Sequence, residues 1–295
     1  MQNKYAFFPG CVLHAAAKEA EISTVAVAKR LGMQLEEIPG WTCCGASHVQ
    51  DIDPETSLLT NARNLALAER MGLTIVTACS TCALMLRQAK ATLLDGKKDW
   101  ANERLAAAGL EFKGTVEVKH LLWVLADTCD EWADKITHPQ TQLKVAPFYG
   151  CHTVRPPKIM DYESHLNPQS LEKIIRVCGA TPVSIPERLK CCGFHAVFPA
   201  ETAAHRMTSS AVSSAAKAGA DCLLTPCPLC HMQLDMYQPD VLSSACGDTP
   251  VPVLHLPQIM AMALGLDKKE IGLSRHIIDA KPLLTTSTGS FINTR

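Results

Sequence analysis

Short apolar runs alternate with longer amphipathic stretches, and the alternation occurs twice along the chain. LTIVT at 73–77 and CLLT at 222–225 read as buried strands, while 55–71 and 201–218 place Ala, Leu and Val at helical spacing between polar positions. The first half predicts strands near 4–8, 34–38, 73–77 and 115–119, with helices near 15–31, 55–71, 82–94 and 120–134. The second predicts strands near 143–148, 182–185, 222–225 and 251–254, with helices near 168–178, 201–218, 228–238 and 257–264. This order predicts an α/β protein of two tandem, pseudo-symmetric β-α domains with mainly parallel sheets. The polar segment THPQTQL marks the boundary, giving domains over 1–138 and 139–295.

The cysteines carry the same duplication. Cys11, Cys43, Cys44, Cys79 and Cys82 form one set, and Cys151, Cys191, Cys192, Cys227 and Cys230 form a second. In both, 35 positions separate the second cysteine of the adjacent pair from the closing CxxC. The words around them repeat: FFPGC and FYGC, CCGASH and CCGFHA, CSTC and CPLC. From the first cysteine to the pair the distances are 32 and 40, a loop-sized insertion of 8 residues. Cys11, Cys79, Cys151 and Cys227 each follow an apolar run, which predicts sites at the carboxyl ends of strands, where open α/β sheets assemble ligands. Gly45 and Gly193 let the backbone turn beside each pair.

Composition narrows the chemistry. The chain has 295 residues, 47% of them hydrophobic, with 28 basic against 29 acidic side chains. A balanced charge supplies no field for nucleic acid or anionic lipid. No apolar run is long enough to span a bilayer and none at the start resembles an export signal, so the expectation is a cytoplasmic protein or the soluble part of a complex. Fourteen cysteines in a chain able to build its own core favour metal or redox chemistry over a disulfide scaffold. An isolated CxxC reads equally as half a zinc site or as buried small residues. A thioredoxin-like pair accounts for one CxxC and leaves Cys11 and the adjacent pair unexplained. Five matched thiols exceed the four of a zinc site and favour polynuclear iron–sulfur chemistry. Cys129, Cys178, Cys222 and Cys246 do not repeat between halves and read as incidental thiols.

The pattern C-x31-CCG-x34-CxxC, repeated as C-x39-CCG-x34-CxxC, resembles the duplicated cysteine-rich domain of the B-type subunit of heterodisulfide reductases, including a sulfur-oxidising branch linked to lipoate-binding proteins. The resemblance runs from Cys11 to about His276, and the tail GLSRHIIDAKPLL is similar to the family's C-terminal segment. It implies two noncubane [4Fe-4S] clusters, one on each five-cysteine set, with a disulfide or thiol substrate between them. Each cluster would donate one electron to the disulfide and bind one of its sulfurs; run backwards, the centre would oxidise thiols or a persulfide. It also implies a C-type subunit with cubane clusters, an A-type flavin subunit, and protein-bound lipoate as one substrate to consider. The absence of G-x-G-x-x-G and P-loop motifs agrees with a need for redox partners.

Proton transfer to the sulfurs points to His48 and His195 after the CCG turns and to His152 beside Cys151; each also reads as an ordinary loop histidine. His120 and His255, at matching strand-to-helix transitions, read as structural. The same domain occurs in subunits attached to glycolate, lactate, glycerol-3-phosphate and succinate oxidoreductases. A quinone-linked electron-transfer adaptor is therefore an alternative function, and a structural zinc protein is another.

Overall fold

A computed structural model describes residues 4–46, 48–242 and 249–286. The first sheet contains β1 (Lys4–Phe7), β2 (Gln34–Glu37), β3 (Ile75–Thr77) and β4 (Val118–His120), in the order β2-β1-β3-β4. The second contains β5 (Lys144–Pro147), β6 (Thr181–Pro182), β7 (Cys222–Thr225) and β8 (Val253–His255), in the order β6-β5-β7-β8. All pairings are parallel, and the register is repeated: Thr77 faces His120 in one sheet as Thr225 faces His255 in the other. Two parallel-sheet modules thus share one topology. In each, the strand order reverses beside the first strand, and a crevice at the carboxyl ends of the two central strands follows from that reversal.

Alternation along the strands sets the packing. Tyr5 and Phe7 belong to one apolar cluster, whereas Ala6 and Phe8 belong to the other. Each cluster draws on both modules: Val76, Val145 and Leu224 share one, and Ile75, Phe148 and Leu223 share the other. The segment after the first module is tied at both sides. The amides of Thr137 and His138 donate to Ala263 O at 3.1 and 2.9 Å, and that of Gln140 donates to Cys178 O at 2.9 Å.

The helical pattern departs locally from the expectation at several places. The stretch predicted over 15–31 begins as the separate turn Cys11–His14 before Lys18–Leu31, and that over 120–134 divides into Leu121–Asp127 and Cys129–Trp132. The helix predicted from 82 begins at Ser80, which makes Cys79 its N-cap and seats Cys82 in its first turn. The helix at Lys98–Leu105 leaves no mark in the apolar pattern because it is polar nearly all round, burying only Ala101 and Leu105. β6 has two residues instead of the predicted four: its amides reach β5 at Thr181 and Val183, which donate to Leu143 O and Val145 O, both at 2.9 Å, and the pairing stops there.

Candidate metal centre

The ten predicted cysteines converge on the carboxyl ends of the two sheets. Cys11 and Cys79 follow β1 and β3, on either side of the first sheet's reversal point, and Cys151 and Cys227 follow β5 and β7 in the same way. In the first set, the Cys43 thiol meets Cys11 at 3.3 Å and Cys44 meets Cys82 at 3.6 Å. The ionisation of Cys43 also depends on Cys44, and that of Cys79 on Cys82. The second set repeats each dependence: Cys191 on Cys151 and Cys192, Cys192 on Cys230, and Cys230 on Cys227. Cys79 and Cys227 depend on each other in the same way. All ten thiols, from Cys11 to Cys151, are thus electrostatically coupled across the boundary between modules.

Local backbone chemistry repeats too. The amides of Gly45 and Gly193 donate to Cys43 Sγ and Cys191 Sγ, both at 3.4 Å. Thr77 and Thr225 hydroxyls accept from the amides of Cys79 and Cys227 at 3.3 and 3.4 Å. Gly10 and Gly150 precede the first cysteine of each set with φ of 74° and 71°. A Cβ at either would lie 2.8 Å from the sulfur of Cys82 or Cys230. Each glycine therefore keeps open the space that a CxxC sulfur occupies.

Hydrogen bonding with the Cys11 and Cys44 thiols favours the ionised form of Cys43, and its pKa falls far below the usual thiol range; Cys191 is lowered in the same way by Cys151 and Cys192. Their donors are raised in turn. At Cys227, burial opposes ionisation, but bonds from Cys230, Cys79 and backbone amides outweigh it. Thiolate is the form that binds metal. Among the described residues no group of three or more His, Cys, Asp or Glu is arranged as a ready site for a single metal ion. The fit to a metal group rests instead on the donor set: thiolates in matched fives, soft ligands, and a glycine cradle for one sulfur of each five.

A cavity of about 240 Å³ opens onto the first set and is lined by all five of its cysteines, together with Val12, Leu13, Leu229, Phe198, His48 and His195. His48 lies against Phe198, with ring centroids 5.8 Å apart. His152 and His195 come together at 5.3 Å, and the Nδ1 of His152 is 3.0 Å from the Thr81 hydroxyl. Burial lowers the pKa of both, with His152 adding to the effect at His195. The geometry thus gathers all three predicted histidines near the sulfurs. His120 and His255 are fully buried, and burial drops them to about 3 and about 4. Cys129, Cys178 and Cys222 are buried in the core, and Cys246 lies outside the described residues.

A second polar group has no signature in the sequence pattern. His231, one position past Cys230, packs edge-on against His276 at 4.8 Å and His255 at 6.5 Å. Glu19 from the first module approaches His231 Nδ1 at 3.6 Å and Arg275 at 3.6 Å. Asp235 accepts from the amides of Ile277 and Ile278 at 2.7 and 3.1 Å, fixing the C-terminal segment over this cluster. His231 has no counterpart in the first half, where Ala83 follows Cys82, so the repeat itself gave no sign of it.

The model of the cysteine-rich CCG domain matches residues 5–87 and 145–235. The chain is 53% identical over 283 residues to the 8-methylmenaquinol:fumarate reductase membrane anchor subunit of Wolinella succinogenes, covering 96% of this chain and 100% of that one. It is 31% identical over 287 residues to the B-type subunit of the ferredoxin/F(420)H(2)-dependent CoB-CoM heterodisulfide reductase of Methanosarcina acetivorans, covering 93% and 94%. A crystal structure of a hypothetical protein from Helicobacter pylori superposes with a TM-score of 0.76 at 18% identity, over 94% of this chain and 52% of that one. That likeness is one of fold, and this chain spans about half the length of that protein. Among the described residues no helix is long and apolar enough to cross a membrane.

Proposed function

The chain belongs to the cysteine-rich CCG domain family, related to the B-type subunits of heterodisulfide reductases, and from that premise we propose that it is the iron–sulfur electron-transfer subunit of a quinol-linked fumarate or succinate oxidoreductase. The observation that carries this reading is the gathering of ten coupled thiols at the carboxyl ends of both sheets, taken with full-length identity of 53% to a subunit named for quinol and fumarate. Identity of 31% to a heterodisulfide reductase subunit places disulfide chemistry second. Dicarboxylate chemistry then belongs to a partner, for which a flavin subunit is the natural class.

Cys11, Cys43, Cys44, Cys79 and Cys82 would hold one noncubane four-iron cluster, and Cys151, Cys191, Cys192, Cys227 and Cys230 the other. When bound, such clusters supply one-electron storage. The chain's own residues perform the remaining work. Burial of Cys79, Cys82, Cys227 and Cys230 keeps water from the junction between sets, while Cys11 and Cys43 stay exposed where an electron donor can approach. His48 and His195, at the cavity on the first set, are placed to take the protons that oxidation of a quinol releases.

One observation supports the disulfide reading: the coupling of Cys79 to Cys227 links the two cysteine sets, and centres on both sets would then stand close enough to split a disulfide between them. Electron paramagnetic resonance of anaerobically purified protein separates the two. A signal that appears on adding a naphthoquinol and ignores thiols supports the proposed function; one that answers only to thiol or disulfide would replace it with the second.

A further inference from the structure

A second cavity, of about 290 Å³, shares no lining residue with the one on the first set. Ser57, Leu58 and Asn61 line it from the helix Pro54–Met71, Met85 and Ala89 from the helix Ser80–Thr92, and Trp100 from the helix Lys98–Leu105. Asn61 is fully buried and its Nδ2 is spent, donating to the carbonyls of Cys44 at 2.9 Å and Ser57 at 2.8 Å. Its Oδ1 has no partner, and neither has the hydroxyl of Ser57, also buried, one turn before it. Two such oxygens on one cavity carry a desolvation cost that a bound donor removes.

The second module shows why these oxygens are left over. There Thr208 bonds the carbonyls of Cys192 and Ala204 at 3.3 and 3.2 Å, as Asn61 bonds those of Cys44 and Ser57. Gln233, three positions past Cys230, donates to the Thr208 hydroxyl at 3.0 Å, although its own Oε1 stays unpaired. Three positions past Cys82 stands Met85, whose thioether has no proton to give Asn61. The first half also has chain that the second lacks: Cys82 and Val118 are 36 positions apart, Cys230 and Val253 only 23. The longer segment carries Trp100, whose ring centroid has the cations of Lys97 and Arg104 at 5.5 and 4.5 Å.

The lining defines what fits. Asn61 Oδ1 only accepts, so the ligand must donate, while Ser57 Oγ can donate in return. Leu58, Met85, Ala89 and Trp100 supply an apolar and aromatic wall for a flat body. Glu55 and Lys97 add one charge of each sign, which favours neither an anion nor a cation. A neutral aromatic ring bearing a hydroxyl meets all these conditions. A quinone has acceptors alone and would leave Asn61 Oδ1 unpaired. We propose that this cavity binds the hydroxylated ring of a quinol and selects it over the oxidised quinone. The proposal rests on the quinol-linked reading above, and it sets such a ring one side chain, that of Asn61, from the Cys44 backbone.

Calorimetric titration of full-length protein purified without air tests this without any electron transfer, using 1-naphthol and 1-methoxynaphthalene as probes. The ether keeps the ring and loses the donor. 1-Naphthol binds about tenfold tighter than the ether, the factor expected when a buried acceptor gains its partner, and 1,4-dihydroxynaphthalene displaces it. Met85→Gln, close in volume and a copy of Gln233 in the second module, gives Asn61 Oδ1 an internal donor and removes the preference. Trp100→Ala, on a helix that buries little, weakens both probes about tenfold and keeps their ratio. No binding, equal affinity for the two probes, or a preference that survives in Met85→Gln would overturn the proposal. A naphthol preference that holds while naphthoquinol raises no paramagnetic signal would instead overturn the electron-transfer reading and leave the binding site standing.

Discussion

Gly10 and Gly150 show at single positions how closely the two halves are matched, since both precede the first cysteine of a set and both face a CxxC sulfur at 2.8 Å from where a Cβ would be. Gly10→Ala and Gly150→Ala should each displace that sulfur, reducing iron uptake by one centre and costing about 1–3 kcal/mol through the left-handed backbone. Iron content and a urea unfolding curve measure the two effects separately. At Tyr149 the hydroxyl donates to Glu172 at 2.5 Å and accepts from the Leu171 amide at 2.9 Å, while Arg188 pairs with the same carboxylate. Tyr149→Phe leaves buried polar groups short of a partner, and a loss of about 1–3 kcal/mol in the same assay is expected. The cysteine sets were legible at this scale because spacing survives duplication. Glu19, His231 and His276 were not, because they come from distant segments and only folding brings them together.

Among the elements, Pro54–Met71 has the clearest start signal: Asp53 accepts from the Thr56 amide at 3.0 Å, and Pro54 occupies the first turn. Asp53→Ala should cost about 1 kcal/mol, read from the unfolding midpoint. Most strands and helices were legible within a few residues because each buries a face with the period of its geometry. The Lys98–Leu105 helix has too narrow an apolar stripe to announce itself, and β6 is shorter than its apolar run because its pairing with β5 stops at Val183. The C-terminal segment over His276 gives this scale its pH dependence. Burial drops His276 to about 4 from the ordinary 6.5, as it does His255. Between those values the unfolded chain binds protons that the folded chain refuses. Stability is therefore complete above about 6.5 and falls as the pH drops toward 4, by on the order of 3 kcal/mol for each histidine. Burial raises the pKa of Glu19 and Asp235, which gives them the opposite sign: their contribution declines as pH rises. Unfolding at a series of pH values should show the histidine contribution prevailing, with His276→Gln flattening the acid limb.

For the whole molecule, docking of the modules creates what neither half contains. The cores are shared, Cys79 and Cys227 couple the sulfur sets, and Thr81 meets His152 across the boundary. The repeat announced two matched sites, but which residues the docking apposes across the boundary is encoded in no local spacing. Among the described residues no helix is long and apolar enough to cross a bilayer, although the chain is 53% identical to a subunit named as a membrane anchor. Removal of iron from the purified complex should abolish electron transfer from quinol while leaving dye-driven fumarate reduction by the partner intact, which an activity assay on each half-reaction resolves. The most direct measurement is the iron and acid-labile sulfide content of protein purified without air. About eight irons with matching sulfide per chain is the predicted result. A colourless protein with zinc and no sulfide would contradict the account.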